Sequence, residues 1–587
     1  MRDNLIPLLR KWKDVIILCG IILLGLAIRS YHINFPSIGY HNMKENEYLI
    51  MAQEMARTGE FLPSISYQKI KEKKDLKTSG GIERKDDFIT RRIYFFNAFD
   101  DSPRMRLYPQ PPLVSYQILF SWKILGENLW GPRLFNIMFG LLSILVTYFI
   151  ALLLFGNSAL GLFSAFLLSI MPLAVFFSRN LQPESPAFFF MLLGNLFYLK
   201  FSSGFRRYNL VLGGLSLSFA WLYKFSFLIG LAPAFFYFPY TAIFKQKKEL
   251  LRCVLAFLLP FSVILLAFLW LKYIGQWEFQ ELSRIKLLEV FSFTYWQKFG
   301  GMIRWYLVGE NFTPVYILLA SIGIVLAFVN RKGLLSRFII GWVLTIIPYA
   351  MIFSDYLNQH NYYQMPFLGL VCISSANTVY WLSGLVRKYL KKDLIVYLMI
   401  ATAAISAPFV YGSCFRMYGT VFLGQDVAGE SLREFTNPDE RIFLLTHFQG
   451  YAIARYARRY VGWTDDLKDF QEKEQKFNIR YICVYPAEFI RMLQDNHPDL
   501  FKYIQENYHV KEVGLSEESK ALFYLILEKG KGSNPETFLQ SFSGKLQLRT
   551  VYKLFGNYMF LYSLRPPVPI QYNDGLSIRF PSDTGQK

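Results

Sequence analysis

The sequence is poor in charged residues, histidine and cysteine. Of its 587 residues, 18% are charged and 53% are hydrophobic, which is too apolar for an ordinary soluble protein. None of the five cysteines forms a metal-spaced pair, so no cysteine-based metal site is expected. A disulfide between Cys414 and Cys483 is left as an open alternative, since both fall in the polar last part of the chain.

Acidic residues are also scarce relative to basic ones. The chain has 63 Lys and Arg against 43 Asp and Glu, which gives a net charge of +20. A nucleic-acid-binding protein would mass these cations on one soluble surface, whereas here many lie in short loops between apolar runs. This distribution indicates membrane topology and fits an anionic lipid partner, not nucleic acid.

Long apolar runs predict a polytopic α-helical membrane protein, because about 20 such residues cross a hydrocarbon core. The first run lacks a small-residue cleavage site, and we expect it to be a retained helix and not a signal peptide. About eleven spans are predicted, at residues 14–33, 132–155, 158–178, 184–201, 208–223, 226–244, 252–273, 314–330, 336–353, 363–385 and 393–412.

Basic loops predict the orientation of these spans. With the N-terminus in the cytoplasm, the clusters at 206–207, 245–248, 331–332 and 387–392 all lie on the cytoplasmic side. The loop 34–131, several turns and everything after about residue 413 then lie outside. We therefore predict a transmembrane domain over 1–412 and an extracytoplasmic α/β domain over 413–587.

The pattern of the tail supports an α/β domain. Apolar runs at 441–445, 480–485, 521–527 and 558–564 predict strands, and residues 465–477 and 487–506 predict helices. No Gly-rich phosphate loop and no Ser/His/Asp spacing stands out there, and the chain shows no internal repeat.

A charged outward stretch directly after the first apolar run extends from Gly39 to Tyr48 and contains His41, Lys44, Glu45 and Glu47. Apolar residues at helical spacing follow it, which predicts an amphipathic helix on the outer membrane surface. Each carboxylate has a plain structural alternative. Glu45 three residues after Asn42 fits a capping box, and Glu47 fits a solvated helix face.

Further candidate residues lie on the same predicted outer side. Tyr108 and Gln110 precede a helix that begins with prolines, and Arg133 lies near the end of a span, where an arginine often snorkels. Arg179 and Glu184 flank one turn, either as site residues or as an ion pair.

Two more outward turns carry candidates. Lys224 occupies a tight hairpin, and a lysine buried there needs an anionic partner. His360, Tyr362 and Tyr363 lie in a turn suited to binding a sugar or phosphate. Interfacial aromatic anchoring is the alternative for the tyrosines.

The first two-thirds of the chain resembles membrane glycosyltransferases of the GT-C fold class, in the protein O-mannosyltransferase and aminoarabinose transferase superfamily. In chain order the matching motifs are Arg29 at the end of the first helix, Glu45-x-x-Tyr48 with Ala52 and Glu54-Met55, Gln110-Pro111-Pro112-Leu113, Ile124-Leu125-Gly126 with Arg133, Arg179 with Pro183-Glu184, Tyr223-Lys224-Phe225, and His360-Asn361-Tyr362-Tyr363 before Pro366.

Two alignments with the family stay open in the charged stretch. If Tyr48 sets the register, Lys44 stands where the family has its proposed base and Glu45 matches the second acid. A branch with His-x-x-Arg-Gln-x-Asp instead matches His41, Lys44 and Glu47. The family's phosphate-binding lysine before Pro-Pro is Gln110 here, so another cation would have to replace it.

The resemblance implies roles for these residues. It implies a catalytic carboxylate among Glu45, Glu47 and Glu184, and donor-phosphate binding by Lys44, Arg133, Arg179 and Lys224. It implies substrate contacts from His41, Tyr108, Gln110, His360, Tyr362 and Tyr363.

The implied activity is an inverting transfer from a polyprenyl-phosphate sugar to a hydroxyl of a lipid, glycan or protein, on the outer face of a cell (inner) membrane. Because the chain resembles metal-independent members, no divalent metal or other cofactor is expected. A lipid-linked oligosaccharide ligase or polymerase is the first alternative. A transporter or flippase is the second, although such proteins typically carry inverted repeats.

Overall fold

The computed structural model describes residues 2–59, 111–244, 247–275, 289–331, 333–392, 394–446, 450–462, 464, 466–516, 521–530 and 546–565. The chain divides into two compact units. Unit 1 comprises Met1–Phe35 and Tyr108–Tyr418, and unit 2 comprises Pro36–Leu107 and Gly419–Lys587. The charged stretch after the first helix thus groups with the C-terminal residues. The domain limits at 412 and 413 stay predictions.

Helices form the described part of unit 1. They are α1 (Arg2–Arg29), α3 (Leu113–Leu125), α4 (Trp130–Phe155), α5 (Ser158–Ile170), α6 (Pro172–Arg179), α7 (Glu184–Gly204), α8 (Tyr208–Tyr223), α9 (Ala234–Tyr237), α10 (Tyr240–Phe244), α11 (Lys247–Gly275), α12 (Phe293–Arg304), α13 (Thr313–Val329), α14 (Leu334–Ile352), α15 (Ser354–Gln359), α16 (Leu368–Leu390) and α17 (Ile395–Gly419); α2 (Asn42–Thr58) belongs to unit 2. α7 packs against α8 and α4, and α13 packs against α16.

Every predicted span coincides with helical structure. By length and composition, five described helices are long and apolar enough to cross a membrane, or up to seven if each of two bent pairs is one span. The count of eleven and the orientation stay predictions.

Breaks in the helices follow from local sequence. α5 and α6 meet at a 59° bend, where Pro172 cannot donate the backbone hydrogen bond that would continue α5. The predicted span 226–244 is wrong as one helix. It consists of a 3₁₀ segment, Phe225–Leu231, followed by α9 and α10, with Pro233 and Pro239 between them.

Unit 2 is an α/β structure, as the tail pattern predicts. Its helices besides α2 are α18 (Gln425–Phe435), α19 (Tyr451–Ala457), α20 (Leu467–Phe477), α21 (Phe489–Asn496) and α22 (Pro498–Asn507). Its strands are β1 (Arg441–Thr446), β2 (Tyr460–Gly462), β3 (Tyr481–Tyr485), β4 (Tyr508–Leu515), β5 (Leu522–Lys529), β6 (Gln547–Leu554) and β7 (Asn557–Leu564).

The described strands form one mixed sheet in the order β2-β1-β3-β5-β4-β7-β6. β1 pairs in parallel with β2 and β3, with Phe443 opposite Gly462 and Ile482, and the other pairings are antiparallel. β1 and β3 are buried almost throughout, which explains why their sequences are continuous apolar runs.

Two details differ from expectation, and one open alternative is decided. The predicted helix 487–506 is two helices, because His497 before Pro498 leaves the helical conformation. The sequence analysis did not predict strands β2, β4 and β6, because they are short or their apolar and polar residues alternate only weakly. All five cysteines are free, so the disulfide considered for Cys414 and Cys483 is absent.

Candidate active site

The turn between α6 and α7 sets the position of Glu184. Asn136 of α4 donates from Nδ2 to the carbonyl oxygens of Asn180 and Gln182, the latter at 3.1 Å, and its own carbonyl accepts from Ser185 Oγ at 3.1 Å. Glu184 is the first residue of α7, where the helix dipole favours a carboxylate. These contacts fix the turn against α4 and hold the carboxylate inside unit 1.

Lys224 lies at the opposite side of this site, where α8 ends. Its backbone N–H donates to Ala220 O at 2.9 Å, and its extended conformation starts the following 3₁₀ segment. Its Nζ lies 2.5 Å from Glu184 Oε1, and the two side chains are only 8% and 2% exposed. Glu184 is therefore the anionic partner that a buried lysine requires, and the alternative pairing of Glu184 with Arg179 is wrong.

Two tyrosine rings complete the surroundings of the ammonium group. Lys224 Nζ lies 4.1 Å from the ring centroid of Tyr362 and 4.2 Å from that of Tyr363. Both distances are within the range of a cation–π interaction. His360 stacks on Tyr362 with ring centroids 5.0 Å apart, so the sequence motif His-x-Tyr-Tyr forms one aromatic group.

One oxygen of the ion pair lacks a hydrogen bond. Among the described residues, Glu184 Oε2 is buried without a partner, while Oε1 accepts from Lys224. A buried polar atom of this kind costs free energy unless a ligand or water satisfies it. The arrangement offers a fixed cation and a carboxylate oxygen that can accept a proton.

Two arginines of the predicted phosphate site contact the chain that follows α1. Arg133 is 1% exposed, and its Nη1 donates to the carbonyl oxygens of Ile33 and Phe35 at 2.8 and 2.5 Å. Arg179 Nη1 donates to two carbonyl oxygens of residues 31–32 at 2.8 and 3.2 Å. Snorkelling is excluded for Arg133, because its side chain is buried and bound to backbone.

The charged stretch forms part of unit 2. Lys44 Nζ lies 2.7 Å from Glu47 Oε2, with side chains 47% and 20% exposed, so these two neutralise each other near the surface. Glu45, in contrast, is buried. Of the two carboxylates, Glu45 is the one held in a low-dielectric setting.

The capping box considered for Asn42 and Glu45 is wrong. The N-cap of α2 is His41, which has a left-handed conformation (φ 59°) and makes no side-chain cap hydrogen bond. Asn42 instead donates from Nδ2 to Gln425 Oε1 at 2.7 Å. The apolar face of α2 includes the buried Met51, and α2 packs against α19. Its location at the membrane surface stays a prediction.

Two predicted substrate residues, Tyr108 and Gln110, lie outside the described residues. Sequence reasoning missed Tyr349, whose hydroxyl donates to Tyr363 O at 2.9 Å, and the buried Glu310. It named Asn361 in the motif but did not choose it as a site residue. The sequence signal that could have identified these residues is the presence of carboxylate and amide side chains within apolar segments.

Comparison with known proteins gives a family match for part of the chain and a similar fold for most of it. Residues 109–270 match the family model described as dolichyl-phosphate-mannose-protein mannosyltransferase. The fold is similar to that of ArnT from Cupriavidus metallidurans in the apo state, with a TM-score of 0.51 and 13% identity over 87% of this chain and 97% of ArnT. The chain therefore has the GT-C fold that ArnT has, and its residues 109–270 are similar to the mannosyltransferase family.

Two further similarities of this GT-C protein cover different lengths. AglB from Archaeoglobus fulgidus, an archaeal oligosaccharyltransferase solved with an inhibitory peptide and a dolichol-phosphate, matches with a TM-score of 0.50 and 11% identity, over 88% of this chain and 74% of AglB. An uncharacterized protein of Aquifex aeolicus (strain VF5) is 26% identical over 148 residues, and the chain covers 28% of its length.

The residues matched by the family model include most residues of the buried site. Arg133, Arg179, Glu184 and Lys224 all lie within residues 109–270. Tyr362 and Tyr363 lie beyond that match and reach Lys224 through the tertiary fold.

Proposed function

We propose that this protein transfers a sugar, with inversion, from a polyprenyl-phosphate donor to an acceptor hydroxyl on the non-cytoplasmic face of the membrane. The observation that carries the proposal is the buried Glu184–Lys224 pair beneath the rings of Tyr362 and Tyr363. The family match over residues 109–270 and the fold shared with ArnT, which was also solved bound to undecaprenyl phosphate (TM-score 0.50, 14% identity), support it.

Lys224 supplies the charge that the leaving group needs. As the bond between the sugar C1 and the phosphate oxygen breaks, negative charge builds up on the polyprenyl phosphate. A preorganised cation in a water-excluded site stabilises such charge by several kcal/mol. The two tyrosine rings and Glu184 hold the ammonium in place, so little reorganisation is required during the reaction.

A carboxylate removes the proton of the acceptor. The acceptor oxygen attacks C1 from the face opposite the phosphate, and its proton passes to the base while polyprenyl phosphate leaves. Glu184 Oε2 is suited to this because it is buried without a hydrogen-bond partner among the described residues. Glu45 is the second candidate, whereas Glu47 is engaged by Lys44.

The other cationic side chains are proposed to assist Lys224 in binding the donor phosphate. Arg133 and Arg179 brace the chain after α1 through its carbonyl oxygens, and each remains a proposed phosphate contact. Lys44 remains a proposed contact to the donor phosphate. His41 and His360 are proposed to contact substrate, and no required metal ion is proposed.

The test is transfer from a synthetic polyprenyl-phosphate sugar by purified protein in detergent. Glu184→Gln and Glu45→Gln are compared with Glu47→Gln, the control carboxylate on the same helix as Glu45. Loss of a positioned base lowers kcat by about 10²–10⁴-fold. We expect such a loss for Glu184→Gln, and less than about threefold for Glu47→Gln because it removes an exposed pair. Full activity in both the Glu184 and the Glu45 variant would refute the assignment of either carboxylate as the base.

A lipid-linked oligosaccharide ligase is the second candidate, because the fold also matches that of AglB over 88% of this chain. The same assay distinguishes the two. Consumption of a pyrophosphate-linked donor, with no use of the monophosphate donor, would favour the ligase.

A further inference from the structure

A buried hydrogen-bond network surrounds the segment that carries the two tyrosines. Asn361 Nδ2 donates to Glu310 Oε1 at 2.7 Å, and Asn361 O accepts from Asn311 Nδ2 at 3.0 Å. Asn311 Nδ2 also donates to Gln364 Oε1 at 2.9 Å, and Gln364 Nε2 donates to Ile303 O at 2.9 Å. Asn311, Asn361 and Gln364 have no exposed surface and Glu310 is 8% exposed, so all four side chains of the network are buried.

The partner of this segment has an unusual backbone. Residues Trp305–Asn311, which carry Glu310, form a π-helical segment between α12 and α13. The helical stretch Gly300–Asn311, which includes this segment, meets α13 at 104°, and Thr313, a β-branched residue, has φ +68°. Such a conformation is costly for Thr and persists where the surrounding structure enforces it, often at functional sites.

The network reaches the ion pair through the chain itself. The 3₁₀ segment Asn361–Phe367 begins with Asn361, and the next two residues are the tyrosines whose rings cover Lys224 Nζ. Tyr349 holds the carbonyl of Tyr363 from α14. A shift of Asn361 therefore moves both rings relative to the ammonium group.

We propose that Glu310 and Asn361 are positioning residues, which hold the Tyr362–Tyr363 pair over Lys224 by the hydrogen bond between them. Neither has to touch substrate for this role. The inference rests on the proposed function for its activity readout. A misplacement of about 1 Å in an active site can lower the rate by about 10²-fold, so loss of this contact is expected to affect kcat more than KM.

The first experiment measures kcat for Asn361→Ala in two backgrounds, wild type and Tyr362→Leu/Tyr363→Leu. Asn330→Ala, at an exposed position that ends α13, is the matched control. If Asn361 acts through the rings, its substitution lowers kcat about 10–100-fold in wild type and less than about threefold when the rings are already removed. An equal loss in both backgrounds would overturn the proposal, because it would mean that Asn361 acts independently of the tyrosines.

The second experiment uses the chemistry of Glu310. Glu310→Gln keeps an oxygen that can accept from Asn361, whereas Glu310→Leu does not. We expect Glu310→Gln to retain at least about a third of wild-type kcat and Glu310→Leu to match Asn361→Ala, since only the latter two lose the hydrogen bond. If both Glu310 variants lose activity equally, hydrogen-bond positioning is refuted.

A third readout needs no activity. With 3-fluorotyrosine at position 362, the ¹⁹F chemical shift reports the surroundings of the ring in each purified variant. We expect a changed shift in Asn361→Ala and Glu310→Leu but not in Glu310→Gln or Asn330→Ala. An unchanged shift in Asn361→Ala contradicts the inference. If wild type transfers no sugar, the proposed function fails, and this readout still tests the position of the ring.

Discussion

The buried pair Glu184–Lys224 makes a strong prediction about stability. Lys224→Met keeps the length of the side chain but removes the ammonium, which leaves the Glu184 carboxylate buried without its partner. Glu184→Gln/Lys224→Met removes both charges together. The single variant is expected to be far less stable than wild type, and the double variant is expected to recover much of that loss.

The magnitude follows from burial. With side chains 8% and 2% exposed, neither charge regains water when the other is removed. Breaking a buried pair of this kind costs roughly 3–5 kcal/mol, whereas replacing both partners is often nearly neutral. Some of the loss in the single variant also comes from the two cation–π contacts, each worth about 0.5–2 kcal/mol. The expected coupling energy between the two positions is roughly 2–3 kcal/mol.

Unfolding of the purified protein in one detergent, followed by denaturant or heat, measures these differences. Lys200→Met is the matched control, because Lys200 is an exposed lysine on α7, the helix that Glu184 begins. We expect it to change stability by less than about 0.5 kcal/mol. All variants are compared at one pH and one protein concentration, under conditions in which the protein refolds, because a free energy of unfolding is defined only for a reversible transition.

Two results would refute the reasoning. If Lys224→Met is as stable as wild type, the ammonium is not buried against the carboxylate. If the double variant loses as much as the single one, the cost comes from packing and not from an unpaired charge. Activity is a separate question, because the double variant is expected to be folded and inactive.

Three further outcomes are expected. Burial raises the pKa of Asp426 in α18 from its ordinary 3.8 to about 6, so stability that is present below pH 3.8 is lost as the pH rises through 6. Between pH 4 and pH 7 the stability of Asp426→Asn relative to wild type is therefore expected to increase by up to roughly 3 kcal/mol. If the difference in unfolding free energy between the two proteins is the same at both pH values, the prediction is contradicted. Arg29 donates to the carbonyl oxygens of Ser169 and Leu168 at 2.7 and 3.3 Å, where α5 ends, so Arg29→Gln should destabilise by about 2–3 kcal/mol and Arg206→Gln, at an exposed loop, by almost nothing. Transfer is expected to persist in excess EDTA, and its loss would show that a metal ion is required.

Much of the fold could be predicted from the sequence, because apolar runs and proline positions act locally. The spans near 184–201 and 208–223 agree with α7 and α8 within a few residues, and β1 and β3 appear where continuous apolar runs predict buried strands. The error in the predicted span 226–244 also has a local cause. The span 226–244 was predicted from composition alone, although its prolines interrupt the backbone hydrogen bonds.

The site could be predicted in part. Lys224 was expected to need an anion, but Arg179 was considered as the partner of Glu184. The turn at Asn180–Gln182, fixed by Asn136, directs Glu184 toward Lys224. That choice depends on packing between helices, which no local pattern encodes.

The sequence by itself determined the class of the protein: a membrane frame of apolar helices, an α/β unit near the C-terminus, and a set of polar residues with the order seen in GT-C glycosyltransferases. The tertiary structure decided which of those residues meet. It placed two tyrosines about 140 positions from Lys224 over its ammonium group, and it grouped the charged stretch around Glu45 with unit 2. The physical reason is that hydrophobic periodicity acts within one helix, whereas the cost of burying a charge is offset by whichever partner the whole fold brings close.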